Sequence, residues 1–158
     1  MRMIILTGLV LAAPAMADPL THLARGNAWR ALDEFGAALG AYDAGLREAP
    51  NRVDLLAERA LTLHRLGETE AAHRTLAIAI AAAGPRDAVP FAARAGLALL
   101  AGHAPDAARD LTEALARAPG DERALALRSL LAARQGGAPL PPREMEALRQ
   151  VFGPWLNE

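Results

Sequence analysis

Apolar residues return along this chain at helical spacing, in short segments cut by proline and glycine. Leu20, Leu23, Ala24, Ala28 and Leu32 mark the first segment. Asp18-Pro19 opens it with a capping residue type and a proline at the first helical position. The pattern predicts a second helix over about 34–48, which Pro50 stops. A third opens at Asn51, with Asp54 three residues on as a partial capping box, and closes at Gly67. Further helices are expected over about 69–82, 87–101, 105–116 and 122–135, separated by Gly84-Pro85, Gly102 and Pro119-Gly120. The run from Gly136 to Pro142 cannot be helical. Beyond it a last helix, about 143–152, carries Met145, Leu148, Val151 and Phe152 on one stripe.

The segments repeat. One late signature recurs three times: a small residue, a bulky one four on, a small one followed by a branched apolar one, then proline. It reads Ala38, Tyr42, Gly45-Leu46, Pro50; then Ala72, Leu76, Ala79-Ile80, Pro85; then Ala107, Leu111, Ala114-Leu115, Pro119. The interval is 35 and then 34 residues between the prolines, which marks a stacked-repeat architecture. The one extra residue falls between Ile80 and Pro85, in a connection, where it leaves the helical register intact. The columns Gly26/Ala60/Ala95/Ser129, Ala38/Ala72/Ala107 and Gly45/Ala79/Ala114 are small throughout, as close helix crossings require. Trp29 and Leu63, with Tyr42, Leu76 and Leu111, are the expected fillers between pairs.

These residues resemble the tetratricopeptide repeat family, a helix–turn–helix unit of 34 residues. Arg25-Gly26-Asn27-Ala28-Trp29 is similar to its first-helix portion, and Ala38, Tyr42, Leu46 and Pro50 to its second. Leu66-Gly67 and Ala101-Gly102 resemble its internal turn. The resemblance covers about 19–136: repeats at 19–52, 53–87 and 88–121, and a partial one at 122–136. It implies an all-α fold, a tetratricopeptide-repeat solenoid in which antiparallel helix pairs build a right-handed superhelix. Residues 137–158 would then be a Pro/Gly linker and a C-terminal capping helix. It also implies that first helices line a concave face where a partner segment binds. On that basis the partner-binding groove is Leu23, Asn27, Arg30, Ala57, Leu61, His64, Arg65, Leu99 and Leu130, mostly apolar with a polar N-terminal fringe. Such a groove suits an amphipathic helix or an extended apolar peptide. The carboxylate clamp of chaperone-binding relatives is missing: Asn27 matches one of its positions, but Leu23, Glu58, Val89 and Ala93 replace the rest.

Composition adds a compartment. Arg2, the apolar run Met3 to Ala13 and Ala15-Met16-Ala17 read as a secretory signal peptide over 1–17, with Asp18 as the first mature residue. The apolar run is shorter than the ~20 residues a spanning helix needs. The mature chain is expected to be exported, periplasmic and soluble. There is no cysteine, which excludes disulfides, thiolate metal sites and a thiol nucleophile. Net charge is −1, all 17 basic residues are arginine, and nucleic-acid binding is disfavoured. Arg25, Arg59, Arg94 and Arg128 form one column. It reads as arginines packing their stems and bonding nearby acids or carbonyls, with an anion ladder as the alternative.

Chemistry is not indicated. His22, His64, His73 and His103 include no pair at three or four residues' spacing, so no helical metal site is expected. Ser129, the only serine, lies in a small-residue column, and no phosphate- or dinucleotide-binding glycine motif occurs. The expectation is a protein–protein interaction scaffold, not an enzyme, with no cofactor. Its partner is another protein or peptide segment, with self-association as a variant. The alternative is a structural subunit of an envelope assembly docking by its convex face or C-terminal end. An accessory domain of an envelope enzyme ranks third. The tail Phe152-Gly153-Pro154-Trp155-Leu156 is expected to close the hydrophobic end of the stack or to act as a docking peptide.

Overall fold

The computed structural model of the chain describes residues 18–152. The expected signal peptide at 1–17, and Trp155 and Leu156 of the tail, lie outside the described residues. Among the described residues eight helices succeed one another: α1 (Pro19–Ala31), α2 (Phe35–Glu48), α3 (Val53–Arg65), α4 (Thr69–Ala82), α5 (Val89–Leu100), α6 (Ala104–Arg117), α7 (Glu122–Arg134) and α8 (Pro142–Phe152). The fold is all-α, as the periodicity predicts. α1 pairs with α2, α3 with α4 and α5 with α6, each pair antiparallel. The odd-numbered helices also pack on one another in order, α1 on α3, α3 on α5 and α5 on α7. They form one layer, called the inner layer below, and α2, α4 and α6 each pack against it as the second member of a pair.

One turn geometry closes every odd-numbered helix. Asp33, Gly67, Gly102 and Gly136 all have left-handed backbone, with φ of 59°, 81°, 76° and 88°. Behind each, the next amide donates back into the helix: Glu34 to Trp29 at 3.0 Å, Glu68 to Leu63 at 2.9 Å, His103 to Ala98 at 2.8 Å and Gly137 to Ala132 at 2.9 Å. This is the Schellman closure, and glycine suits it because it lacks the Cβ that clashes there. A second turn recurs between pairs, where the amides of Arg52, Asp87 and Asp121 donate to the carbonyls of Ala49, Gly84 and Ala118. α2, α4 and α6 are all 14 residues long, so the extra residue of the sequence lies in a connection.

Close crossings hold each pair. A methyl group at Gly26 would overlap the buried Tyr42 ring, and one at Gly45 would stand 2.7 Å from Leu55 Cδ1. Ala38, Ala72, Ala107, Ala79 and Ala114 are fully buried. Trp29 departs from expectation: it is 40 % exposed, whereas its counterpart Leu63 is buried. Leu63 has a preceding pair to pack against, and among the described residues Trp29, in the first pair, does not. The capping box at Asn51 is also not formed. α3 starts at Val53, and Asp54 instead accepts from Arg52 Nε at 2.9 Å and Nη2 at 3.0 Å. Asp121 does cap α7, accepting from the Ala124 amide at 2.8 Å.

Candidate functional site

The inner layer begins with a polar N-terminal half. Asn27 projects from α1, and its Oδ1 accepts from the Tyr42 hydroxyl at 2.8 Å. Glu58 lies on α3 with only 5 % of its surface exposed, so its charge needs partners. Arg30 of α1 stands 3.3 Å from one carboxylate oxygen, and Arg123 of α7 donates to the other at 2.7 Å. Glu58 thereby joins three inner helices. Arg65 reaches Asp33 at 3.3 Å and lies over the Phe35 ring at 4.7 Å. His64 is half-buried, and burial, followed by the charge of His73, holds its pKa below the ordinary imidazole value.

The apolar half is covered. Ala57, Leu61, Leu99 and Leu130 are all buried, Leu61 to 2 % exposure, and belong to one continuous core with Leu148 and Phe152 of α8. The column Asn27, Leu61, Gly96, Leu130 explains how. Gly96 leaves a gap in the column, and a methyl group there would overlap the Phe152 ring. α8 therefore not only packs on α7 at the end of the stack but sends its last aromatic back onto α5. Arg134 adds a bond from its Nη1 to the Leu99 carbonyl at 2.8 Å.

Of the groove residues expected from sequence, Leu23, Asn27, Arg30, His64 and Arg65 thus keep some access to solvent. Ala57, Leu61, Leu99 and Leu130 do not. Gly96 stands in the same column but is not among those groove residues. A glycine inside a helix forfeits about 1 kcal/mol relative to alanine, so its presence marks a close approach. Nothing local signalled that Glu58 and Arg123 meet.

Two members of the arginine column, Arg59 and Arg94, bond within the chain. Arg59 donates to Asp43 at 2.7 Å and to Thr75 at 3.1 Å, and Arg94 makes a bidentate pair with Asp110 at 2.7 Å on both arms. Arg25 and Arg128 are exposed. Two shallow hollows flank α6. One, of about 500 Å³, is lined by Phe91, Arg94, Arg109, Asp110, Thr112 and Glu113, and the other, of about 460 Å³, includes Leu111, Leu115 and Arg128. In the first, the charges of Arg94 and Asp110 are paired with each other. No group of three His, Asp or Glu side chains that could hold a metal occurs among the described residues. No helix among them is long and apolar enough to cross a membrane.

The class that the fold defines is an all-α stack of sequential antiparallel helix pairs with a C-terminal helix folded onto it. Neither a protein-family model nor a curated protein sequence matches the chain.

Proposed function

We propose that the chain is an exported, periplasmic scaffold built of tetratricopeptide-type repeats, which binds a segment of another protein on the face formed by its odd-numbered helices. The observation that carries this reading is the return of one left-handed turn at 33, 67, 102 and 136, closed each time by the same backward hydrogen bond. Helix pairs set at that interval bury their apolar faces only by stacking on neighbours, and stacked pairs present a continuous inner surface. The accessible part of that surface here is the fringe of Leu23, Asn27, Arg30, His64 and Arg65. Ion pairs of Arg30 with Glu58 and of Arg65 with Asp33 hold this polar edge in place, and a chain lying across the face would meet it beside Leu23.

Affinity capture from a cell-envelope extract, with crosslinking and mass spectrometry, tests the reading. Wild type is compared with Leu23→Glu/Arg65→Glu, whose melting temperature must stay within a few degrees of wild type. A crosslinked partner lost in the double variant supports the inner face. Equal capture by both proteins places the function elsewhere on the molecule. A second reading, a structural subunit of an envelope assembly, is favoured by the exposed Leu20, Trp29 and Leu32 at the N-terminal end of the stack.

A further inference from the structure

We propose that α8 is a resident ligand of the inner face, and that the partner this face accepts is an amphipathic helix carrying leucine and phenylalanine four residues apart. The inference rests on the inner-face reading above and gives it a ligand chemistry. Leu148 and Phe152 are four apart on α8, lie on one side of it, and are 1 % and 2 % exposed. Phe152 fills the gap that Gly96 opens between Leu61 and Leu130 in the inner column. The shape of the site is thus written by an occupant from the same chain. A helix from another protein that presents the same two side chains meets the same surface.

α8 is held as a detachable element would be. It is not half of a tight pair, since its packing is on α7 with Phe152 reaching α5. Residues 136–141, which tether it, form no helix, and the Gly136, Gly137, Pro139 and Pro141 positions are exposed. Glu144 Oε2 is shielded from water without a hydrogen-bond partner. That is a penalty of the docked state that release removes. With 11 residues, α8 is too short to stay helical by itself in water. Release and refolding onto the face are therefore coupled, and an incoming helix competes with a tethered one.

The test uses full-length protein and a fluorescein-labelled peptide of residues 139–152, read by fluorescence polarisation. The tethered helix blocks the site in wild type, so Phe152→Ala protein should bind the peptide at least tenfold more tightly than wild type does. A peptide carrying Phe152→Ala should not bind either protein. Phe152→Ala protein that melts cooperatively yet binds no better than wild type overturns the proposal and makes α8 a fixed part of the core. Should that variant fail to fold, hydrogen exchange on wild type decides. Exchange of α8 amides on the order of a hundredfold faster than those of α5 supports a detachable helix, and equal rates overturn it. Protein that takes up the peptide but captures nothing from the envelope keeps this inference and sinks the scaffold reading. Envelope capture through the fringe without peptide binding does the reverse.

Discussion

Arg94 and Asp110 show how much one column position depends on its partner. Asp110 is 3 % exposed and is satisfied by both arms of the guanidinium, whose pKa the carboxylate raises further. Arg94→Met leaves that carboxylate buried and unpaired. A loss of about 2 kcal/mol is expected, held below the fully buried case because Arg94 itself is partly exposed to solvent. Urea denaturation of Arg94→Met and of Arg94→Met/Asp110→Ala checks it, since the second change should recover part of the loss. Arg128→Ala, on an exposed arginine of the same column, should stay within about 0.5 kcal/mol of wild type. His64 sets a pH dependence of known sign. Its native pKa lies below the ordinary value of 6.5, through burial first and the charge of His73 second. As pH falls, the unfolded chain takes up the proton before the native chain does. This contribution to stability is full above about pH 6.5 and is lost as pH falls from there through the native pKa. Melting temperatures of wild type and His64→Gln between pH 7.5 and 5 should diverge in slope, with the variant flatter; parallel curves would rule the assignment out.

The helices themselves arise from local rules, and so does most of their punctuation. Gly102 sits at φ 76° with a Schellman bond behind it. Gly102→Ala should cost about 1 kcal/mol, because alanine resists that backbone. Asp33 occupies the equivalent turn at φ 59° without being glycine. Its bond to Arg65 is solvent-exposed and worth little, so Asp33→Gly should raise the melting temperature slightly. A thermal melt of both variants reads the opposite signs. Boundaries were less legible than elements. The sequence places the start of α5 at Asp87, but the helix begins at Val89, because the Asp87 carboxylate turns back to accept from the Gly84 amide at 2.7 Å. α1 has the apolar spacing of a core helix, yet Leu20, Trp29 and Leu32 are exposed. Spacing tells which residues share a face. It does not tell whether a neighbour exists to cover that face, and among the described residues no pair stands in front of the first.

For the whole molecule, Leu61 is where the two levels part. As a groove residue read from the sequence, Leu61→Glu would alter binding and spare the fold. At 2 % exposure, in one core with Leu99, Leu130 and Phe152, it would bury a carboxylate near that of Glu58. A destabilisation of about 4 kcal/mol or more is expected, visible as early unfolding in urea. A stable, cooperatively folded Leu61→Glu protein would mean that the inner face is open. The sequence by itself determined the all-α class, the number and approximate lengths of the helices, the interval between their turns and the small residues at their crossings. All of these rest on contacts within a turn or two, or on breakers such as Gly67 and Pro50 that act where they stand. Only the tertiary structure decided which inner residues meet solvent. Arg123 reaches Glu58 across 65 residues of sequence, and Phe152 closes over Gly96 from the far end of the chain. Burial is the sum of what distant segments bring to one place. The helical period names the face, and only long-range packing supplies what lies against it.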